Sequence, residues 1–302
     1  MVGFLFPGQG SQKRGMGEGL FDSVPEYAAL ERDVDALLGY SMRKLCLEDS
    51  ANRLKETQLT QPSLYVVDAL HYYRAIQDGA RPDIVAGHSL GEYNALLAAG
   101  VFDFLTGLRL VKKRGELMAQ AKGGAMAAVI GLSADAVGRI IRESGLRTID
   151  FANFNTPTQT VVSGPAEDIN RAAAVFEKAG AQRVIALQVS AAFHSRYMVD
   201  AARAFAEFLS PMSFAAPRIP VIANVTARPY PVDNASEAVK SLLVSQLTQA
   251  VQWRQTIRRM ESSGVTQFCE IGPGSVLTRM LRQIQGEATA PSHATAVHSH
   301  HR

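Results

Sequence analysis

A glycine-flanked serine at the junction of a strand and a helix constrains this chain more than any other feature. The apolar run Ile84-Val85-Ala86 leads directly into Gly87-His88-Ser89-Leu90-Gly91, and residues 92–99 are rich in alanine and leucine. In a G-x-S-x-G turn the glycines keep a tight strand-to-helix turn free of clashes, and the serine hydroxyl stands exposed. The pattern predicts a nucleophilic serine, Ser89, at the carboxyl end of a buried strand.

Strand and helix patterns alternate on both sides of this turn. The apolar run from Val2 to Phe6 predicts a strand, and the glycine-rich turn Pro7-Gly8-Gln9-Gly10 follows it. Later strands are expected at Val221 to Asn224 and Thr266 to Cys269, with helices between them. Parallel strands that alternate with helices place sites at their carboxyl ends. We therefore expect an α/β protein with a large, α/β-hydrolase-like domain built on a parallel sheet.

The middle of the chain follows a different order. From about Gly123 to Val189 the patterns read β-α-β-β-α-β, which is the order of a ferredoxin-like unit. We expect residues 123–189 to form a small inserted subdomain, and residues 1–122 and 190–285 to form the large domain. Residues 286–302 have no apolar periodicity and are expected to be a tail or linker.

Composition argues against several classes of function. The net charge of +3 is too small to indicate nucleic-acid binding by itself. No apolar run approaches the roughly 20 residues needed to span a bilayer. The two cysteines, Cys46 and Cys269, lack the paired spacing of a disulfide framework or zinc site. We expect a cytoplasmic protein that binds no metal, nucleic acid or membrane.

A serine nucleophile needs a base, and three histidines precede the tail: His71, His88 and His194. His71 falls in an amphipathic helix pattern, where a packing role is the simpler interpretation. His88 adjoins Ser89 directly and should point elsewhere. Elimination favours His194 as the base, with a packing role as its alternative.

Four further blocks make the chain resemble the malonyl-CoA:acyl carrier protein transacylases, above all the discrete acyltransferases that act in trans on polyketide synthases. Together with the serine turn they agree in order and separation over residues 1–285, which is far more specific than G-x-S-x-G alone. The blocks are Phe6-Pro7-Gly8-Gln9-Gly10-Ser11-Gln12, Arg114-Gly115-Glu116-Leu117-Met118, Ala192-Phe193-His194-Ser195 and Glu270-Ile271-Gly272-Pro273-Gly274.

The resemblance implies a two-step mechanism with a covalent intermediate. Ser89 attacks the thioester of malonyl-CoA with His194 as base, and the malonyl group then passes to the phosphopantetheine thiol of an acyl carrier protein. The backbone amides of Gln9 and Leu90 are the implied oxyanion donors. The resemblance implies no permanently bound cofactor, and we expect a monomer.

The resemblance implies three further roles. Arg114 is expected to bind the free carboxylate of malonate, because a guanidinium offers two parallel donors and keeps its charge. Phe193 is expected to favour malonyl over α-branched acyl groups by occluding the α-substituent. The resemblance gives the histidine a backbone carbonyl as its partner, which we expect to be that of Gln252.

The carrier protein is typically acidic, so a basic rim on the enzyme would speed their encounter. Two other functions stay open: a hydrolase that releases the acyl group to water, and a non-catalytic module that docks the carrier protein. Arg114 favours a malonyl transferase over a hydrolase of neutral acyl chains. Fatty acid and polyketide synthesis are both compatible with the motifs, and the family blocks favour polyketide synthesis. The candidate rim residues are Lys44, Lys112, Lys113, Arg183 and Arg196.

Overall fold

Two four-stranded sheets of opposite character organise the chain. The computed structural model describes residues 1–189 and 191–289. The strands in these residues are β1 Val2–Phe6, β2 Ile84–Gly87, β3 Gly124–Ile130, β4 Asp150–Thr156, β5 Gln159–Pro165, β6 Arg183–Ala186, β7 Val221–Ile222 and β8 Gln267–Glu270. One sheet has the order β7-β2-β1-β8 with every pair parallel, and the other has the order β4-β5-β3-β6 with every pair antiparallel.

Helices cover the parallel sheet and one face of the antiparallel sheet. They are α1 Leu20–Ser23, α2 Pro25–Ala28, α3 Glu31–Leu38, α4 Met42–Glu48, α5 Thr57–Gln77, α6 Gly91–Ala98, α7 Phe104–Gln120, α8 Ala134–Glu143, α9 Ala166–Lys178, α10 Val199–Leu209, α11 Ala235–Thr248, α12 Trp253–Ser262 and α13 Val276–Thr289. Residues 290–302, most of the expected tail, lie outside the described part of the chain.

The register of the parallel sheet brings two turns together. Phe6, the last residue of β1, pairs with Gly87, the last residue of β2. The turn that contains Gln9 and the turn that contains Ser89 therefore leave the sheet side by side, at its carboxyl edge. A Cβ on Gly8 would lie 2.3 Å from the carbonyl oxygen of His88, so glycine is required where the two turns meet.

The antiparallel sheet confirms the expected ferredoxin-like unit. Its chain order is β3-α8-β4-β5-α9-β6, and β3 and β5 form the middle of the sheet. Helices α8 and α9 bury their apolar faces against one side of the sheet, around Val129, Val162 and Phe176. The exact limits of the subdomain, residues 123 and 189, stay a prediction.

A backbone seam joins β4 to the segment that follows α11. Phe154 N–H donates to the carbonyl of Val251 at 2.9 Å, and Val251 N–H donates to the carbonyl of Ala152 at 2.9 Å. Two side chains of β4 beside this seam reach the turn after β2: Asn155 bonds to His88, and Asn153 lines the same cleft as Ser89.

Candidate active site

Ser89 lies in the sharp turn between β2 and α6. Its φ of 51° is in the left-handed region that L-residues rarely adopt. A Cβ on Gly87 would lie 1.9 Å from the carbonyl carbon of Gly91, and a Cβ on Gly91 would lie 2.1 Å from the oxygen of Phe6. Asn224 braces the turn: its Oδ1 accepts from Ser89 N–H at 2.7 Å, and its Nδ2 donates to the Gly87 carbonyl at 2.6 Å. The surrounding contacts thus hold the strained serine in place.

The imidazole of His194 lies against the serine hydroxyl. Ser89 Oγ is 2.8 Å from His194 Nε2, and His194 Nδ1 is 2.7 Å from the backbone oxygen of Gln246. Because a carbonyl oxygen can only accept, Nδ1 carries the proton and Nε2 is free to accept from the serine O–H. Burial, and then the positive charge of Arg114, lowers the pKa of His194 to about 3. The ring is therefore neutral at pH 7.

The expectation that Gln252 orients the histidine is wrong. Its carbonyl accepts from Thr256 N–H at 2.8 Å, at the start of α12. The carbonyl that meets His194 belongs to Gln246, in the last turn of α11. Carbonyls in the last turn of a helix lack intrahelical partners and lie at the negative end of its dipole, so they suit an imidazole N–H.

Arg114 extends from α7 to the same serine. Its Nη2 donates to Ser89 Oγ at 3.1 Å and to Gln246 Oε1 at 2.9 Å, and its Nη1 donates to Gln61 Oε1 at 2.7 Å. The side chain is 1% exposed, and burial lowers its pKa. Within the described residues no carboxylate forms an ion pair with Arg114, whose hydrogen-bond partners are all neutral. A buried cation with neutral partners favours an anionic ligand.

A narrow cleft of about 90 Å³ opens at Ser89. Gln9 and Leu90 line it, and in the described residues their backbone N–H groups form no hydrogen bond. Phe193, 5% exposed, forms another part of the lining. Residues 123–189 supply another part of the lining, through Met126, Asn153, Leu187 and Val189.

In the described residues neither of the other two histidines is hydrogen-bonded to the serine hydroxyl. His88 Nε2 is 2.8 Å from Asn155 Oδ1, and its ring packs on Trp253. Burial lowers the pKa of His71, which lies in α5. That His71 and His88 are not the catalytic base stays a prediction.

Three of the expected rim residues already contact other side chains of this chain, two in ion pairs and one over an aromatic ring. Arg196 forms a bidentate ion pair with Asp150 on β4, and Lys112 pairs with Glu116 one turn along α7. Lys113 lies over the ring of Phe208, 5.9 Å from its centroid. Lys44 is exposed and lines a separate cavity of about 240 Å³, and Arg183 is exposed on β6. A role in docking stays a prediction for this set.

Sequence reasoning missed three buried side chains that hold the site together. Gln61 and Gln246 lie in no recognised motif, and no sequence pattern indicates that they belong to the site. Glu92 had a signal: it is the one carboxylate in the apolar helix that follows the serine turn. In the described residues no cluster of three or more histidine, cysteine or acidic side chains could hold a metal. No helix described here has the length and apolar character needed to cross a membrane.

Known proteins share this arrangement along almost the whole chain. The acyl transferase domain family matches residues 3–302. The polyketide biosynthesis malonyl CoA-acyl carrier protein transacylase BaeC of Bacillus velezensis is 52% identical over 96% of this chain and 99% of its own length. The polyketide biosynthesis protein ThaF of Burkholderia thailandensis is also 52% identical, over 98% of this chain, which spans 25% of ThaF.

Solved structures agree with these sequence relatives. The crystal structure of a malonyl CoA-acyl carrier protein transacylase from Burkholderia pseudomallei superposes with a TM-score of 0.90 at 47% identity, covering 96% of this chain and 99% of that one. A malonyl-transacylase in complex with its holo type II polyketide synthase acyl-carrier protein, PlMCAT:AntF, gives 0.88 at 36% identity, covering 94% and 93%. With its serine turn, histidine and buried arginine in one cleft, this chain belongs to the malonyl-CoA:acyl carrier protein transacylase family of acyl transferases.

Proposed function

We propose that this chain moves a malonyl group from malonyl-CoA to the phosphopantetheine thiol of an acyl carrier protein, through an ester on Ser89. One observation carries the proposal. The Ser89 oxygen lies 2.8 Å from a neutral imidazole nitrogen of His194 and 3.1 Å from the guanidinium of Arg114. A base and an anion-binding group thus meet at a single nucleophile.

In the first half-reaction His194 Nε2 takes the hydroxyl proton as Ser89 Oγ bonds to the thioester carbonyl carbon. The negative charge moves to the carbonyl oxygen, where the N–H groups of Gln9 and Leu90 stabilise it. The carbon–sulfur bond then breaks, and the proton on His194 passes to the departing CoA sulfur. The products are CoA thiol and malonyl-Ser89.

The second half-reaction runs the same steps in reverse with a different thiol. The phosphopantetheine thiol of the carrier protein gives its proton to His194 as its sulfur attacks the ester carbonyl. The bond to Ser89 Oγ then breaks, and the oxygen regains a proton from His194. The Gln246 carbonyl stabilises the imidazolium in each half-reaction because it accepts from Nδ1 throughout.

Substrate choice is assigned to Arg114 and Phe193. The malonyl carboxylate replaces neutral partners of the guanidinium with an anionic one, which strengthens the hydrogen bonds and neutralises a buried charge. Neutral acyl groups such as acetyl offer no such partner. The ring of Phe193 narrows the cleft beside the acyl α-carbon and favours malonyl over branched units, a preference worth about 1 to 3 kcal/mol per methylene.

The partner is an acyl carrier protein of polyketide synthesis, in keeping with the names of BaeC and ThaF and with the carrier complex described above. Exposed cations such as Lys44 and Arg183 are proposed to attract its acidic surface. The two half-reactions need only the side chains and thiols already named, so the proposal includes no permanently bound cofactor. It also includes a monomeric enzyme that acts in the cytoplasm.

The intact mass of the protein after brief exposure to malonyl-CoA tests the proposal. We expect a stable gain of one malonyl unit, which disappears only when holo carrier protein is added and then reappears on the carrier. A gain that decays in water without the carrier would overturn the transferase and identify a hydrolase. No gain by the folded protein would leave carrier docking as its function.

A further inference from the structure

Glu92 is a buried carboxylate three residues after the nucleophile, and neither half-reaction uses it. It lies in the first turn of α6 and is 1% exposed. Its Oε1 accepts from Asn224 N–H at 3.0 Å and from the Tyr230 hydroxyl at 2.8 Å. Its Oε2 accepts from Gln246 Nε2. A carboxylate so far from water is unfavourable unless several donors offset its desolvation, so a role beyond packing is indicated.

Gln246 connects this carboxylate to both functional side chains. Its Oε1 accepts from Arg114 and its backbone oxygen accepts from His194. Its Nε2 donates to Glu92 and, at 2.9 Å, to the backbone oxygen of Ser89. All polar atoms of the side chain are thus engaged, and one residue touches the nucleophile, the base and the cation.

The orientation of the Gln246 amide is set from its two ends. Arg114 can only donate, so it requires the oxygen of the amide. An ionised Glu92 can only accept, so it requires the nitrogen. Turning the amide over would place donor against donor at Arg114 and acceptor against acceptor at Glu92. The ionised carboxylate, together with the backbone oxygen of Ser89, therefore holds the amide nitrogen and leaves the amide oxygen to Arg114.

We propose that Glu92 is a positioning residue for malonyl transfer. Its carboxylate fixes the Gln246 amide, and that amide holds the guanidinium of Arg114 at the serine. The backbone carbonyl of Gln246, in the last turn of α11, keeps His194 in the tautomer that accepts the serine proton. This assignment rests on the proposed function, because it concerns how the malonyl carboxylate and the base are aligned. A misplacement of about 1 Å in such an alignment costs about 100-fold in rate.

If Glu92 has this role, its protonation should change the pH dependence of malonyl transfer. Burial raises the pKa of Glu92 to about 7, against the lowering effect of its hydrogen bonds and of Arg114. The titratable groups that face it are Arg114 on α7, Tyr230 after β7 and Tyr93 beside it on α6. Below this pH the carboxyl gains a donor and is no longer restricted to accepting from Gln246 Nε2, so the amide is held less firmly by Arg114 and the Ser89 backbone oxygen alone. Malonyl transfer should fall on the acid side of about pH 7, whereas His194, with a pKa of about 3, titrates far below.

The test compares Glu92→Gln with the unaltered enzyme in malonyl and acetyl transfer between pH 5.5 and 9. In the variant the new amide nitrogen meets a donor in either orientation, the Nε2 of Gln246 or the backbone N–H of Asn224, so one contact is lost in each case. We expect kcat/KM for malonyl-CoA to fall about 10- to 100-fold, the malonyl-to-acetyl ratio to fall, and the acid limb near pH 7 to disappear. An unchanged kcat/KM with the acid limb retained would overturn the proposal.

Two further variants keep the test decisive if Glu92→Gln folds poorly. Tyr230→Phe removes a donor that lowers the pKa of Glu92, so the acid limb should move to higher pH. Val239→Ala, in the buried face of α11, lowers thermal stability without touching the network and should leave the pH profile unchanged. An acid limb that Tyr230→Phe leaves in place would contradict the assignment. Failure of the unaltered enzyme to form malonyl-Ser89 would instead contradict the proposed function.

Discussion

The parallel-sheet region and the antiparallel-sheet region contribute differently to one cleft. The parallel-sheet region, residues 1–122 and 191–289, supplies Ser89, Arg114, His194 and Gln246, and each of these makes a directional hydrogen bond to another. The antiparallel-sheet region, residues 123–189, supplies Met126, Asn153, Leu187 and Val189, which line another part of the cleft. Functional sites in α/β proteins form where parallel strands end and helices begin. An inserted unit can cover that edge without taking part in proton transfer.

The seam between the regions shows what the insertion adds. Asn155 on β4 bonds to His88 beside the nucleophile, and β4 pairs with Val251 just after the helix that holds Gln246. Asp150 on β4 pairs with Arg196, two residues after His194. The antiparallel-sheet region therefore acts on the site by fixing the segments that carry the reacting groups. Substitutions in the two regions should therefore differ in their effect on activity.

Ser89→Ala should remove malonyl transfer almost entirely, with a loss of at least about 10⁴-fold, because no other group can form the acyl intermediate. Transfer from malonyl-CoA to holo carrier protein is the measurement. Ser195→Ala is the matched control: this serine lies beside His194 but bonds to the Ala192 carbonyl, and the variant should stay within about tenfold of the unaltered enzyme. Equal losses in the two variants would contradict a single nucleophile.

Arg114→Ala should lower kcat/KM for malonyl-CoA by at least about 100-fold, since charge-assisted hydrogen bonds are worth about 1.5 to 3 kcal/mol each. Acetyl-CoA should lose much less, so the malonyl preference collapses. The ratio of the two rates is the quantity to measure. Lys113→Ala, the neighbouring cation on α7, serves as control, and an intact malonyl preference in Arg114→Ala would remove the substrate assignment.

Asn155→Ala tests the seam. Loss of its hydrogen bond to His88 should lower the free energy of unfolding by about 1 to 2 kcal/mol and activity by less than tenfold. Val162→Ala, in the core of the antiparallel-sheet region away from the seam, provides a variant of similar destabilisation with unchanged activity. A loss above 100-fold in folded Asn155→Ala would mean that the antiparallel-sheet region takes a direct part in catalysis.

Asp68→Asn should leave activity unchanged and alter only stability. Asp68, on α5, is fully buried, and its carboxylate oxygens have no hydrogen-bond partner in the described residues. Burial, with the charge of Glu270, raises its pKa well above the usual value. The folded state then binds more protons than the unfolded state, so the stability of the unaltered protein falls as pH rises above about 4, by at most about 1.4 kcal/mol per pH unit.

The variant lacks this titration, so its advantage over the unaltered protein should grow from pH 5 to pH 8. Urea unfolding at several pH values measures it, with the exposed Asp233→Asn as control. A difference that does not depend on pH would show that Asp68 is not titrated by folding.

Regular periodicity made most of the fold predictable. The expected strand from Val2 to Phe6 matches the structure residue for residue, and the β-α-β-β-α-β order of the ferredoxin-like unit followed from the alternation of patterns. The short helices α1 to α4 were not foreseen, because segments of four to eight residues are held by packing on the core rather than by a pattern of their own.

The site was predictable where a side chain, and not a backbone group, makes the contact. Ser89, Arg114 and His194 meet as their motifs implied, within 3.1 Å of the serine oxygen. The partner of His194 was placed six residues too late, at Gln252 instead of Gln246, because any residue type can present a backbone carbonyl. Only the end of α11 decides which carbonyl is free, and that end depends on tertiary structure.

Peptide mass mapping of the malonylated enzyme tests directly whether Ser89 is the nucleophile. The folded protein is exposed briefly to malonyl-CoA, digested, and the modified residue is identified by fragmentation. We expect a single malonyl ester on Ser89, absent after incubation with holo carrier protein. A malonyl group on Ser11, Ser195 or Cys46, with Ser89 unmodified, would contradict it.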